Sequence, residues 1–358
     1  MSVDSKAKLF VHIGGAKCGS STIQLFMKSN VAKLYRQGFI VPDVDMRSGG
    51  ECIGEQSQYF ENCKDSMGDA GLDLSERLIA LRDEYYSKSG ESEQPVIIVS
   101  AENLSCWNNF AELFDGLGNE FDVKVLLYIR RQDDYYVSFW QQWYLKTNDD
   151  FWAWVLHSLK WIGDWSSVIE PWVNILGEEN IIIRRFSRKY FKGGDLLADF
   201  SNALGINIEN MTCVINENPS YCDGVTFLAS SVRDVFDGMH DNEFYKMMAE
   251  WGGPPIYKKH LSQVMNQSQR KALLNYFADS NAKIKEQYFH SESGELFEPL
   301  IEEDQKTDDS GSVEGRVEIL IRLIFGCYKE TVQNRSVKLH SGFLAQHAAA
   351  FFKKSRSS

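Results

Sequence analysis

The chain contains no apolar run approaching ~18 residues, which argues against a membrane-spanning helix. Met1 to Lys8 is polar and leads into a short apolar run. It lacks the basic start, apolar stretch and small-residue cleavage site of a secretory signal, so a cytoplasmic location is expected. Basic residues are in deficit: 38 Lys and Arg against 50 Asp and Glu give a formal charge of −12. That balance excludes a general nucleic-acid binder working by phosphate neutralisation, so any anion site must be local. The seven cysteines (Cys18, Cys52, Cys63, Cys106, Cys213, Cys222 and Cys327) are odd in number and show neither CxxC nor Cys/His ligand spacing. Reduced thiols fit this pattern better than a disulfide framework or a zinc site. Cys52 with Cys63, or Cys213 with Cys222, would pair only in an oxidising compartment. Internal repeats and long low-complexity tracts are also missing.

What is present is ordinary globular material, 358 residues with 43% hydrophobic and 25% charged side chains, enough for a sizeable core. Four short apolar runs rich in β-branched residues read as strands: Leu9 to Ile13, Val96 to Val99, Val123 to Ile129 and Ile181 to Ile183. Helical stretches separate them at Ser20 to Arg36, Leu74 to Tyr86, Asp133 to Trp172 (broken near Thr147 to Asp150) and Asp195 to Leu204. Near-continuous apolar strands alternating with helices indicate an α/β fold, a doubly wound parallel sheet flanked by helices, over about residues 7–210. Downstream, Gly224 to Asp237, Phe244 to Glu250, Ser262 to Tyr288 and Glu314 to Val332 read as a helical C-terminal part. The acidic, turn-rich 302–312 reads as a linker. The expected organisation is therefore one domain over 7–300, with a helical part at about 211–300, followed by an extension over 301–358.

Ligands of open parallel sheets bind beyond the carboxyl ends of the strands. The first strand runs into Gly14-Gly15-Ala16-Lys17-Cys18-Gly19-Ser20-Ser21-Thr22 and then a helix. Glycines let backbone amides approach a phosphate, the helix N-terminus favours an anion, and hydroxyls at 20–22 can donate hydrogen bonds. The nucleotide-binding pattern GxxxxGK[ST] is not met, because Ser20 stands where its lysine belongs and the lysine has moved to position 17. A glycine-rich turn with a hydroxyl N-cap before a helix is the competing interpretation. The third strand ends in Arg130 and Arg131, with Ser138 eight residues after Arg130. Guanidinium groups suit bidentate phosphate binding, whereas a metal-organising strand would end in a carboxylate. Arg131 has an equal alternative, pairing with Asp133 or Asp134.

Lys17-x-Gly19-Ser20-Ser21 after a first strand, with Arg130-x7-Ser138 after a later one, resembles sulfotransferases that use 3′-phosphoadenosine 5′-phosphosulfate (PAPS). Likeness to bacterial carbohydrate-type members continues through 181–206, Asn216 to Ser220 and 261–289, so it covers roughly residues 8–297. The resemblance implies a P-loop-like fold, PAPS as sulfate donor, adenosine 3′,5′-bisphosphate (PAP) as product and no required metal. It further implies that Lys17, Cys18, Gly19, Ser20, Ser21 and Thr22 surround the 5′-phosphosulfate, and that Arg130 and Ser138 hold the 3′-phosphate. The implied acceptor is a hydroxyl on a carbohydrate, glycolipid or other compound. Cys18 replaces a small hydroxyl residue of the family's loop, and Ile23 replaces the tryptophan that stacks on adenine in cytosolic members. Phe186 or Tyr190 are the candidate replacement stackers, with core packing as the alternative, and Lys258 and Lys259 are candidate stand-ins for a late basic loop, with plain solvated lysines as the alternative.

Sulfuryl transfer needs a base for the acceptor proton and a cation on the departing phosphate. Lys17 fits the second role. Glu102, after the second strand, fits the first, with a helix cap or an ion pair to Arg130 as alternatives; His12, inside the first strand, is the rival base. Seven tryptophans between positions 140 and 172 form either a stacking platform or helix-to-helix core, the usual outcome at helical spacing. The C-terminal end, AAAFFKKSRSS, admits peripheral membrane contact or contact with a partner, with an ordinary packed helix and a frayed basic tail as the alternative. Two other activities share these features: an ATP-dependent small-molecule kinase and a non-catalytic nucleotide-binding protein.

Overall fold

The computed structural model describes residues 6–48, 56–89, 94–106, 108–147, 150–213, 222–251, 264–300 and 312–333. Five strands, β1 (Ala7–His12), β2 (Phe39–Ile40), β3 (Val96–Ser100), β4 (Phe121–Ile129) and β5 (Ile181–Arg185), form one sheet in the order β2-β3-β1-β4-β5. All neighbouring pairs are parallel; His12 lies level with Ser100 and Leu126, and Ile129 with Arg185. The helices are α1 (Ser20–Arg36), α2 (Ser57–Cys63), α3 (Met67–Ser89), α4 (Gln132–Gln142), α5 (Phe151–Ser158), α6 (Trp165–Leu176), α7 (Leu196–Leu204), α8 (Asp223–Ser231), α9 (Glu243–Trp251), α10 (Gln267–Tyr276), α11 (Ala278–Tyr288) and α12 (Val313–Gln333). The protein is thus an α/β fold with a P-loop-like parallel sheet flanked by helices. β4 shows why: its first residues alternate buried and half-buried, whereas Val125 to Ile129 are buried without a break. An unbroken buried run means that helices cover both faces of the sheet there.

Local chemistry sets the helix ends. Gly19 at the N-cap of α1 adopts φ 84°, and Gly38, just beyond its C-cap, φ 85°. The stretch over 133–172, expected to break near Thr147 to Asp150, divides there between α4 and α5 and again between α5 and α6. Gly163 at φ 85° breaks the chain before Asp164, whose carboxylate caps α6 by accepting from Ser167 N at 3.2 Å. α7 begins likewise at Asp195, which accepts from Ala198 N at 2.8 Å. The α1 boundaries match the sequence expectation; β2 and α2 were not anticipated. Lys258 and Lys259, Asn216 to Ser220 and the C-terminal end lie outside the described residues.

Contacts divide the chain into two compact units, one comprising Met1–Phe139, Trp152–Asn218 and Met265–Ile301, the other Trp140–Phe151, Pro219–Val264 and Glu302–Ser358. In the first, the buried amide of Asn30 on α1 donates to Thr212 O at 2.9 Å and accepts from Thr212 N at 2.8 Å. Buried Asp199 on α7 joins two strands, accepting from Tyr128 Oη at 2.9 Å and Arg184 Nε at 2.6 Å. α10, α11 and the segment after them clamp the start of α4. Gln132 and Asn281 exchange amide hydrogen bonds at 2.8 and 3.1 Å. Fully buried Asp133 binds Arg131 through two hydrogen bonds of 2.7 and 3.1 Å and accepts from buried Arg270 at 2.7 Å. In the second unit, Gln141 donates to Thr226 Oγ1 at 2.8 Å, and Lys146 donates to Met239 O at 3.0 Å and Asn242 Oδ1 at 2.8 Å.

Removing one member of a buried ionic cluster strands the remaining charges. Asp133→Ala is therefore expected to lower the unfolding free energy by about 3–5 kcal/mol in a urea titration. A loss below about 1 kcal/mol, the level of an exposed pair, would contradict a supporting role for the Arg131–Asp133–Arg270 cluster.

Candidate functional site

The carboxyl ends of β1, β3 and β4 meet around the Gly14–Gly19 loop. Four of its six residues have positive φ: Gly14 at 82°, Gly15 at 97°, Lys17 at 61° and Gly19 at 84°. The first two glycines are also required by proximity, since a Cβ at Gly14 would lie 2.6 Å from Glu102 Cα and one at Gly15 2.7 Å from the Tyr128 carbonyl oxygen. The loop is thus pressed onto the ends of β3 and β4. Its exit is the N-terminus of α1, where Gly19 contributes no capping side chain and the first turn carries no acid. An anion placed there would meet the positive end of the helix without a competing carboxylate in that turn.

Two side-chain contacts draw neighbouring strands into the loop. Arg130, just past β4, is half-buried; its Nη1 donates to the Lys17 carbonyl at 3.1 Å, and its Cζ lies 5.6 Å from the Phe186 ring centre. Glu102, just past β3, accepts a 2.6 Å hydrogen bond from Ser20 Oγ. The Ser20 hydroxyl proton is thereby engaged with Glu102 rather than offered to a phosphate; Ser21 beside it is exposed and Thr22 half-buried. Lys17 is half-buried in the loop, and Ser138 is buried in α4. Lys17, Gly19, Ser20, Glu102 and Arg130 are therefore gathered at one edge.

Other expected site residues face inward. Cys18 is fully buried; burial pushes its thiol up to about 12, and its amide donates to Gly15 O at 3.0 Å. His12 is 1% exposed within β1, its Nδ1 2.8 Å from Ser100 Oγ and its ring edge-on to Tyr128 and Phe200. Burial lowers its pKa to about 4, so the ring is neutral at physiological pH and enclosed by the sheet. Tyr190 stacks on Arg185, whose Cζ lies 3.5 Å from the ring centre, while Phe186 abuts Gly19. Arg131 follows its local alternative, the pair with Asp133. A concavity of about 700 Å³ lined by Lys6, Lys8 and Asp122 opens at the amino end of the sheet, away from the glycine loop.

Two contacts escaped the sequence reading. Ser20 and Glu102 are separated by 82 residues, and only the parallel register of β1 with β3 joins them. Trp165 Nε1 donates to the Arg130 carbonyl at 3.0 Å, with its ring 4.8 Å from that of Tyr135; the local signal was merely one tryptophan among seven. Trp140, Trp154 and Trp172 are buried core, whereas Trp161 is exposed.

No family model matches the sequence. A curated relative, an uncharacterized protein of Archaeoglobus fulgidus, is 25% identical over 175 residues, 46% of each chain, so the chain spans about half the length of the relative it matches. Among solved structures, a sulfotransferase from Alicyclobacillus acidocaldarius is similar at 13% identity and TM-score 0.38, over 77% of this chain and 94% of that one. A sulfotransferase domain from the curacin biosynthetic pathway is similar at 11% identity and TM-score 0.34, over 77% and 99%. Mouse sulfotransferase SULT7A1 complexed with PAP is similar at 12% identity and TM-score 0.31, over 88% and 89%.

The enclosure of His12 has a pH consequence. Its folded pKa of about 4 lies below the ordinary 6.5, so between those values the unfolded chain binds a proton that the native state refuses. Stability is then complete above about pH 6.5 and falls as pH drops towards about 4, by about 3 kcal/mol for this group. Urea titrations at pH 7 and near pH 4 should show that His12→Gln loses about that much less than wild type on acidification. Equal losses in the two proteins would contradict the assignment.

Proposed function

We propose that the protein is a sulfotransferase that moves a sulfuryl group from PAPS to a hydroxyl of a carbohydrate or glycoconjugate. The observation that carries this reading is the hydrogen bond from Arg130 to the Lys17 carbonyl. It ties a glycine loop whose lysine stands three residues before Ser20 to a strand that ends in guanidinium rather than in a metal-binding carboxylate. Loop and strand are the two motifs whose order resembles the PAPS-dependent family. The residues fit such a donor: an uncapped helix N-terminus and a lysine lie on one side, and an arginine held from behind by Trp165 on the other.

The donor supplies an activated sulfuryl group. In this reading the α1 first-turn amides, the exposed hydroxyl of Ser21 and the first-turn residue Thr22 bind its 5′-phosphate. Lys17 stabilises the charge that grows on that phosphate as the sulfuryl group leaves. In the same reading Arg130, together with Ser138 of α4, selects the 3′-phosphate, and Phe186 offers a face beside Arg130 for the base. Glu102 accepts the proton of the attacking hydroxyl, and the Ser20 hydrogen bond fixes the direction of its carboxylate. His12 is passed over as base because the sheet encloses it.

Glu102→Gln should reduce turnover by ~10²–10⁴-fold, the usual contribution of general acid–base catalysis, while PAP affinity stays near that of wild type. Turnover close to wild type at saturating donor would remove Glu102 as base. Arg130→Ala should weaken PAP binding by ~1.5–3 kcal/mol, the range for hydrogen bonds to charged groups, and leave adenosine 5′-phosphate nearly unaffected. Calorimetry showing equal losses for both nucleotides would contradict the 3′-phosphate role.

A further inference from the structure

α12 has two apolar faces. One packs within its own unit: Ile319 and Leu323 are buried, Arg316 stacks 3.7 Å above the Phe227 ring, and Gly326 lies so near Trp251 that a Cβ there would approach its Cγ to 2.5 Å. These positions form the side of α12 turned towards α8 and α9. The other face carries Val313, Val317, Leu320, Ile321 and Ile324, all between 41% and 70% exposed. An aliphatic ladder of this kind left in water is a usual mark of an interaction surface.

The spacing of the ladder indicates what covers it. Val313, Val317, Leu320 and Ile324 follow one another at intervals of four, three and four residues, the seam of a helix that pairs with another helix. That order reads the same in both directions, so a second α12 running antiparallel would set Val313 against Ile324 and Val317 against Leu320 about a midpoint between Glu318 and Ile319. Charge favours the same direction. Residues 302–312, before α12, carry five acids and one base, whereas residues 334–358, after it, carry five bases and no acid. Antiparallel pairing brings opposite charges together at each end, and parallel pairing would bring like charges together. We propose that this face of α12 is the interface of a two-fold symmetric homodimer, with the same helix of a second copy as its occupant. Self-complementarity of a single patch is what a two-fold dimer requires. A helix pair of this length lies at the small end of stable interfaces, so association depends on concentration.

Sedimentation velocity of the full chain over a wide concentration range tests the pairing. The mass should rise from that of one chain to that of two, and Val317→Glu should move the midpoint to at least about tenfold higher concentration with an unchanged melting temperature at dilutions where both proteins are single chains. Ile324→Lys should do the same and serves if the first variant is unstable. Direction is read by oxidation: Val313→Cys alone should give no more covalent dimer than wild type, whereas Val313→Cys with Ile324→Cys should give it readily. A single-chain mass at every concentration, an undisturbed dimer in both charge variants, or efficient cross-linking of Val313→Cys alone would overturn the proposal.

Discussion

The close approach of the Gly14–Gly19 loop to the ends of β3 and β4 is the constraint on which the rest of the site depends. A Cβ at Gly14 or Gly15 would meet backbone atoms at 2.6 and 2.7 Å, so side chains are excluded there by the sheet itself. This closeness allows Ser20, the first residue of α1, to reach Glu102 beyond β3, and Arg130 beyond β4 to reach the Lys17 carbonyl. A loop standing farther from the sheet would retain the same residues but lose both links, and with them the alignment of a carboxylate, a lysine and an arginine at one edge.

The loop is supported from a distance. Arg130 is held at its carbonyl by Trp165, and the following residues are fixed by the Asp133 cluster and the Gln132–Asn281 pair. The partners Arg270 and Asn281 come from helices well over a hundred residues downstream, so α10 and α11 act as a brace for the β4–α4 junction. In energetic terms the buried charges are a liability unless all are paired. Here Asp133 is shared between two guanidinium groups, and those pairings fix where α4 starts and, with it, the position of Ser138.

Much of this was legible in the sequence where the signal is local. Apolar, β-branched runs marked four of the five described strands, and the glycine-rich loop ending at Gly19 marked the start of α1. The first-strand loop and the arginines closing β4 carried the chemistry of an anion site, and Asp133, two residues from Arg131, was a visible partner. What could not be read depended on distance. Phe39–Ile40 is too short to show periodicity and is a strand only because β3 lies beside it. The Ser20–Glu102 hydrogen bond, the inward turn of the Cys18 thiol and the enclosure of His12 follow from the register of parallel strands. Nothing near Trp165 in sequence singles it out from its aromatic neighbours.

The central claim is that this edge of the sheet transfers sulfur rather than phosphorus. Its most direct test is to incubate the wild-type protein with a pool of carbohydrates and glycoconjugates together with sulfur-labelled PAPS and γ-phosphate-labelled ATP with magnesium, and to identify the labelled products by mass spectrometry. The account predicts a hydroxyl compound carrying the sulfur label, release of PAP and no phosphorylated product. A product carrying the phosphate label without any sulfated one would contradict it.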